Sequence, residues 1–175
     1  MLFRSNFPLR FYMERPRHLS RFMLDRFKTD GPLGQDKLFI SRQGLASDSA
    51  SSILRAARAV KAGMLLYIAG DVRWSGRLTE TAQFLGHTFR FSSTWVVLAA
   101  MTQAPVVIEF CRIESDGHYH VDFLPPFFVP KEAAAEGHGG PWVQRFIDAL
   151  QAQIRMYPTN SNDYFFWHQS ELRVA

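Results

Sequence analysis

The first third of the chain alternates short apolar runs with apolar residues at helical spacing. Residues 1–12 and 37–41 predict short strands, because apolar side chains there stand beside polar or charged neighbours. The polar segment 47–52 offers an N-cap for a helix that runs to about residue 62, and Gly63 follows as its C-cap. The predicted apolar face of this helix comprises Ile53, Leu54, Ala57 and Val60.

The next apolar run, over residues 64–69, predicts a buried strand that meets a turn at Gly70-Asp71. A strand, a helix and a strand joined by short links are typical of a βαβ unit with a parallel pair. Ligands of open α/β sheets lie beyond the carboxyl ends of the strands. Asp71, closely followed by Arg73 and Arg77, is therefore the first place where we expect a site.

The middle of the chain predicts one hairpin and one helix. The hairpin lies near residues 83–90, and Ser92 or Ser93 caps the helix that follows. The apolar residues of that helix are Trp95, Leu98 and Met101.

The last third predicts a second hairpin and a final helix. Residues 105–113 and 118–123 read as strands around the turn Asp116-Gly117. A loop rich in Pro and Gly covers residues 125–140, and Pro141 then starts the helix. Its apolar stripe comprises Val143, Phe146, Ile147, Leu150 and Ile154.

Composition and charge narrow the classes of function. A chain of 175 residues predicts one domain, and no run of eighteen apolar residues predicts a membrane-spanning helix. The net charge is +4, and residues 1–28 hold seven of the cations against two carboxylates. This basic segment, which includes a helix predicted over residues 16–27, would attract phospholipid or nucleic acid, or simply expose its cations to solvent. No signature of a nucleic-acid-binding fold accompanies them.

Neither a metal site nor a cysteine nucleophile is predicted. His118, His120 and Asp122 share one face of their strand, as a row of ligands would, but no fourth ligand accompanies them. Cys111 is the only cysteine, and within an apolar strand we expect a buried, inert thiol in a protein of a reducing compartment. Asp71 therefore remains as a candidate for chemistry, although a turn residue after a strand is often an aspartate with no further role.

Several stretches between residues 53 and 168 resemble, in order, the lysophospholipid acyltransferase family. The branch that they resemble most is the lauroyl/myristoyl acyltransferases of bacterial lipid A biosynthesis. The segment LLYIAGDVRWSG resembles the strand that ends in Pro-Asp-Gln in that branch, with Asp71 on the acidic position. The segment 83–112 resembles the part with a Phe-Gly pair, a Thr or Ser and a Pro-Val-Val run, matched by Gly86, Ser93 and Pro105.

The remaining matches lie on both sides of these. ILRAARAVKAG resembles the helix before the acidic position, and GHYHVDFLPP resembles a strand that ends in Pro-Pro. FIDALQAQIRMYPTNSNDYFFWHQ resembles the closing segment of the family. Matching residues there are Ile154, Arg155, Pro158, Trp167 and His168. The segments RPRHLSRFMLDRF and KLFISR fit more weakly.

The resemblance implies a fold and an activity. The fold would be α/β, with a mixed, largely parallel central sheet flanked by helices, in a single domain over residues 1–175. The activity would be transfer of a fatty acyl chain from an acyl thioester, acyl carrier protein or acyl-CoA, to a hydroxyl of a lipid acceptor such as a lipid A precursor or a lysophospholipid. Asp71 would be catalytic, and Arg73, Arg77 and Arg42 would bind substrate. No cofactor and no nucleic acid would be needed, and the protein would lie peripherally on the cytoplasmic face of the bacterial inner membrane.

The chain departs from the family pattern at the base and beside Asp71. The signature His-x-x-x-x-Asp/Glu is not matched by His18, His87 or His118. We expect it just before residue 1, in an N-terminal part that also holds a membrane helix. Gly70 and Val72 stand where the family has Pro and Gln. Two alternatives therefore stay open: a catalytically silent, lipid-binding remnant of the family, and a basic nucleic-acid-binding α/β domain.

Overall fold

The computed structural model describes residues 8–14, 37–40, 46–73, 76–135, 137–161 and 164. The helix predicted over residues 16–27 and the candidate ligand Arg42 lie outside these ranges. The described chain is mixed α/β, as predicted, with one parallel and two antiparallel sheets and three α-helices. It divides into two compact units, Met1–Ala69 and Gly70–Ala175. The single domain expected from length stays a prediction.

The first unit contains a parallel three-stranded sheet and one helix. Strands β1 (Leu9–Glu14), β2 (Lys37–Ile40) and β3 (Leu65–Ile68) are arranged in the order β2-β1-β3, and helix α1 (Ala46–Lys61) connects β2 to β3. The predicted parallel direction is confirmed, because both outer strands run parallel to β1. The βαβ prediction was wrong about the neighbours, since β1 lies between the two strands that α1 connects.

Burial in this unit differs from the sequence prediction. Strand β3 is not buried: Leu65 is 46% and Tyr67 is 42% exposed, because β3 is an edge strand and one of its faces is open. On α1, the buried positions are Ser52, Ala56 and Ala57, whereas Leu54 of the predicted apolar face is 48% exposed. The apolar face is therefore rotated toward small side chains, which allow a helix backbone to approach its neighbours closely.

The second unit begins with an antiparallel hairpin that supplies most of its buried aromatic residues. Strands β4 (Thr79–Phe84) and β5 (His87–Ser92) confirm the predicted hairpin and extend it at both ends. Leu85 and Gly86 form its two-residue turn with φ values of 49° and 81°. Two positive φ values indicate a type I′ turn, whose twist matches that of the strands. Phe84, Phe89 and Phe91 are fully buried and pack edge to face.

Two helices and two short 3₁₀ turns are the helical elements of the described part of this unit. Helix α2 (Thr94–Thr102) confirms the predicted helix and buries most of its surface, although Met101 is 41% exposed. Helix α3 (Gly140–Met156) confirms the predicted stripe, which is buried except that Phe146 is half-buried. The 3₁₀ turns are Lys131–Ala134, within the predicted loop, and Pro158–Asn160.

Helix α3 is fixed to the outer edge of β4 by side-chain amides. The N–H of Gln83 donates to Gln144 Oε1 at 2.8 Å, and Gln144 Nε2 donates back to the carbonyl of Gln83 at 3.1 Å. The N–H of Leu85 donates to Gln151 Oε1 at 2.9 Å. Asp148 accepts from both glutamines and orients them. The helix therefore satisfies strand backbone groups that would otherwise need water or another strand.

The second antiparallel hairpin has an unexpected orientation. Strands β6 (Glu109–Ile113) and β7 (Tyr119–Phe123) turn at Gly117, whose φ is 83°. Strand β6 starts four residues later than predicted, because Val106 forms an isolated bridge to Phe127 instead. The side of Tyr119, Val121 and Phe123 is exposed, and Cys111 lies on that side. The prediction of a buried thiol was therefore wrong.

The opposite side of this hairpin carries a charged network. Arg112 pairs with Asp122, and its Nε donates to Glu114 Oε1 at 2.8 Å. The guanidinium also lies 4.5 Å from the ring centroid of Tyr157, just beyond α3. Asn160 bonds both the N–H and the carbonyl of Ile113, at 2.8 and 3.3 Å. The end of α3 is thereby attached to β6.

Within the described ranges, no helix is both long and apolar enough to cross a bilayer.

Tyr12 on β1 predicts a loss of stability at high pH. Burial raises the pKa of Tyr12 to about 12, and the positive charge of Arg55 opposes part of this rise. In the unfolded chain this phenol ionises near pH 10. The contribution of the neutral, buried phenol to the free energy of unfolding is therefore complete below pH 10 and is lost as the pH rises toward 12. Two pKa units correspond to about 2.7 kcal/mol.

The measurement is the free energy of unfolding in urea between pH 8 and pH 12, for the wild type, Tyr12→Phe and Tyr119→Phe. We expect Tyr12→Phe to flatten the fall in stability. Tyr119 is 73% exposed and is the matched control. An unchanged pH profile in Tyr12→Phe contradicts the assignment.

Candidate functional site

Asp71 lies in a short extended segment that follows β3 by three residues and belongs to the second unit. The N–H of Ser92 donates to the carbonyl of Val72 at 2.9 Å, and Arg73 forms an isolated antiparallel bridge with Phe91. These contacts make residues 72–73 a brief third strand beside the end of β5. Because these contacts hold the backbone directly after Asp71, the side chain of Asp71 has a defined direction.

Tyr164 is the hydrogen-bond partner of Asp71. Its hydroxyl donates to Asp71 Oδ2 at 2.6 Å, a distance typical of a bond to a charged oxygen. The ring of Tyr164 packs edge-on against the buried ring of Phe84, with 5.7 Å between centroids. The sequence prediction missed Tyr164, because 93 positions separate it from Asp71 and no local pattern connects them. In the sequence, Tyr164 was indicated only by its position inside the last segment that resembles the acyltransferase family.

Gly70 is pressed against Phe146, directly before Asp71. A Cβ atom at position 70 would stand 2.7 Å from Phe146 Cζ and 2.9 Å from both Cε atoms. The Phe146 ring has little room to retreat, because it stacks on Phe110 at 6.3 Å and contacts Trp95 at 6.4 Å between centroids. The Phe146 ring therefore leaves no room for a side chain at position 70, and a proline ring would not fit.

The structure separates the predicted substrate-binding arginines. Arg73 is half-buried, and burial lowers the pKa of its guanidinium. Arg77 is exposed, two residues before β4. Among the described residues, the hydrogen bond of Asp71 goes to Tyr164 and not to either arginine. Asp71 and Arg73 are thus neighbours through the backbone, whereas no described contact joins Arg77 to them.

The histidines of the second hairpin are engaged in pairs. His118 Nδ1 lies 3.0 Å from Asp116 Oδ2, and the backbone N–H of His118 lowers the pKa of Asp116. His120 Nε2 lies 3.1 Å from Asp122 Oδ1, on the side of the Arg112 network. In the part of the chain that the structure describes, no three His, Cys, Asp or Glu residues are grouped to hold a metal.

A buried donor lies next to the Phe146 ring. Trp95 is 7% exposed, and its Nε1 has no hydrogen-bond partner among the residues that the structure describes. An unsatisfied buried N–H costs about 1–3 kcal/mol, so such a group calls for a cause. Phe146 connects this indole to Gly70, because it contacts both.

Comparison with known families and curated proteins found no match for this chain. No model of a known protein family matches the sequence. No curated protein matches it either. The roles of Asp71, Tyr164 and Arg73 therefore rest on the residues and their geometry.

The contact between Gly70 and Phe146 gives a double-mutant prediction. We expect Gly70→Ala to lower the free energy of unfolding by about 1–3 kcal/mol, because the new methyl group overlaps a ring that is itself held. In the background of Phe146→Leu, which removes the overlapping ring atoms, the same substitution is expected to cost less than about 0.5 kcal/mol beyond the loss from Phe146→Leu alone.

Urea unfolding of the wild type, the two single variants and the double variant measures this coupling. Gly63→Ala serves as a control glycine, since nothing lies within 4 Å of its position and only its positive φ of 84° opposes a side chain. Phe146→Leu should leave the cost of Gly63→Ala unchanged. Strictly additive costs for Gly70 and Phe146 would contradict the steric assignment.

Proposed function

We propose that the protein is an acyltransferase that works at a membrane surface and moves a fatty acyl chain from a thioester to a lipid hydroxyl. The observation that carries the proposal is the half-exposed carboxylate of Asp71, oriented by the hydroxyl of Tyr164. Asp71 is also the residue on the acidic position of the family that the sequence resembles. A carboxylate fixed by packing and by one hydrogen bond is prepared to contact a substrate with its remaining lone pairs.

The reaction forms an ester and breaks a thioester. The acceptor oxygen attacks the thioester carbonyl, its proton passes to a base, and the thiolate leaves and takes up a proton. In the family, a histidine is that base. No described histidine is hydrogen-bonded to Asp71, whose described partner is Tyr164. We therefore assign Asp71 to holding the acceptor, and the base to a residue outside the described part of the chain or to a partner.

Arg73 and Arg77 suit an anionic acceptor. A guanidinium binds phosphate with two parallel N–H donors and stays charged in a partly buried place. Arg73 is the better placed of the two, because it is half-buried two residues from Asp71. Arg77 would add a second contact to the head group. The resemblance also implies Arg42, which lies outside the described residues.

The buried indole of Trp95 also favours a ligand that carries oxygen. Within the described part of the chain its Nε1–H lacks an acceptor, and the thioester donor of this reaction carries a carbonyl oxygen. The acyl donor would be acyl carrier protein or acyl-CoA. The same proposal includes a largely parallel central sheet flanked by helices, a peripheral position on the cytoplasmic face of the bacterial inner membrane, and membrane lipids as partners. The parallel strands in the order β2-β1-β3 support the proposed parallel sheet.

The second candidate function is lipid binding without catalysis. It is favoured by the absence of the signature His-x-x-x-x-Asp/Glu around His18, His87 and His118. Under this alternative, Asp71 and the arginines would hold a head group and no ester would form.

Acyl transfer provides the direct test. The wild type, isolated from its native cell, is incubated with lauroyl-CoA or lauroyl-acyl carrier protein and with a lipid A precursor or a lysophospholipid. We expect Asp71→Asn to lower kcat/KM by at least about 100-fold, because an oriented charge at the reacting centre is lost. Tyr164→Phe keeps the charge and loses only its orientation, so a loss of about ten-fold is expected.

The control is Asp116→Asn, which removes an exposed carboxylate at the turn of the second hairpin and should leave the rate unchanged. Thermal unfolding should show a Tm shift of no more than about 3 °C for each variant. Full activity of Asp71→Asn removes this residue from the mechanism. Wild-type protein that binds lipid and transfers no acyl chain supports the second candidate.

Vesicle binding separates lipid from nucleic acid as the partner. We expect sedimentation with vesicles that contain phosphatidylglycerol, and release as NaCl is raised from about 0.1 M to about 0.5 M, because salt screens the basic segment 1–28. Joint substitution of Arg17→Glu and Arg21→Glu should weaken binding at least ten-fold. Lys131→Glu with Arg155→Glu makes the same charge change at exposed positions of the second unit and is the control. Binding to an oligonucleotide alone contradicts the membrane assignment.

A further inference from the structure

We propose that the exposed side of the β6–β7 hairpin binds a second copy of this chain. This outer face carries the apolar residues Cys111, Ile113, Tyr119, Val121 and Phe123, with Glu109 at its open end. It is independent of Asp71 and of the proposed acyl transfer.

The outer face is apolar and open. Ile113 is 51%, Tyr119 is 73%, Val121 is 42% and Phe123 is 65% exposed. Strand alternation places all of them on one side, because Cys111 stands opposite Val121 and Ile113 stands opposite Tyr119 in the register. An antiparallel sheet commonly packs one face on the core and turns a polar face to water. Here Arg112, His120 and Asp122 share the opposite, inner face with Phe110, which packs on Phe146, and the His120 side chain is itself 52% exposed. The polar residues are therefore on the face that packs and the apolar ones on the open face.

The area of the outer face matches the smallest specific interfaces. From their exposed fractions and sizes, these side chains present roughly 600 Å² per copy, which is the upper end for an apolar patch on a monomer. Two copies would bury roughly 1,200 Å², where specific protein–protein interfaces begin. A dimer of modest affinity is therefore expected, with Kd on the order of 1–100 μM.

The charges on the hairpin favour a protein over an anionic bilayer. No Lys or Arg of β6 or β7 is on the outer face, since Arg112 is on the inner one. Glu109 shares the outer face, and Glu114 and Asp116 flank the turn. Carboxylates in these places repel anionic head groups.

The same charges select the orientation of the two copies. A two-fold axis makes identical patches face one another. If the turn of one hairpin covers the open end of the other, each turn meets only the single Glu109 of the other copy, whereas a turn laid on a turn would bring Glu114 and Asp116 of both copies together. In the first arrangement, Tyr119 of each copy meets Phe123 of its partner. Cys111 and Val121 form the central pair of the five-residue register, so they lie closest to the axis. Packed sheets are about 10 Å apart, which puts the two Cys111 thiols within reach of a short cross-linker.

Sedimentation equilibrium of the full chain tests the dimer directly. We expect a monomer–dimer equilibrium for the wild type, and at least a 30-fold weaker association for Ile113→Lys. The matched control is Leu54→Lys on α1, where the replaced side chain is 48% exposed and thus nearly as open as Ile113. It should dimerise as the wild type does. Near-ultraviolet circular dichroism confirms that both variants are folded.

Cross-linking locates the interface. Cys111 is the only cysteine, so a bis-maleimide with a spacer near the roughly 10 Å between packed sheets can join copies only through this residue. A covalent dimer is expected for the wild type and for Leu54→Lys. Strong loss of the dimer is expected for Ile113→Lys, and none should form for Cys111→Ser.

Three results would overturn the proposal: a wild type that stays monomeric at about 200 μM, twice the upper end of the expected Kd; a dimer that persists in Ile113→Lys; or a dimer lost equally in Leu54→Lys. A monomer that binds vesicles of phosphatidylcholine through Ile113 assigns the outer face to a bilayer instead.

Discussion

The Gly70–Ala175 unit depends on side-chain amides that take the hydrogen-bonding place of a neighbouring strand. A two-stranded hairpin is only marginally stable in water, because one edge of each strand and one face remain open. This unit has two such hairpins. Gln144 and Gln151 satisfy the backbone of β4, and Asn160 satisfies the backbone of β6. All three belong to α3 or to the turn just beyond it, so one helix organises both hairpins.

The position of α3 in turn determines the surroundings of Asp71. The helix carries Phe146, which meets Gly70, Phe110 and Trp95. Its N-terminus is fixed by Glu80 of β4, which accepts from the N–H of Gly139 at 3.2 Å and places a negative charge where the helix dipole favours one. The carboxylate of Asp71 is thus positioned by aromatic packing and backbone contacts, with Tyr164 as its hydrogen-bond partner.

The sequence was informative wherever local pattern decides the outcome. The strands β2, β4, β5 and β7 and the apolar stripe of α3 follow from alternation, turn residues and helical spacing. Pairing across long separations was not accessible in this way. No periodicity indicates that β1 lies between β2 and β3, or that Tyr164 donates to Asp71. The reversed faces of β6–β7 escaped prediction for a related reason: alternation identifies two faces, and only the partners Phe146 and Tyr157 decide which one turns inward.

The close approach of Gly70 to Phe146 has a consequence for how this chain can diverge. Positions 70 and 146 share one volume, so a lineage can acquire a side chain beside the acidic residue only after the aromatic ring has become smaller. The order of the two changes is therefore restricted, because the reverse order passes through an overfilled intermediate. Across diverged descendants of this protein, a large residue at one position should exclude a large residue at the other.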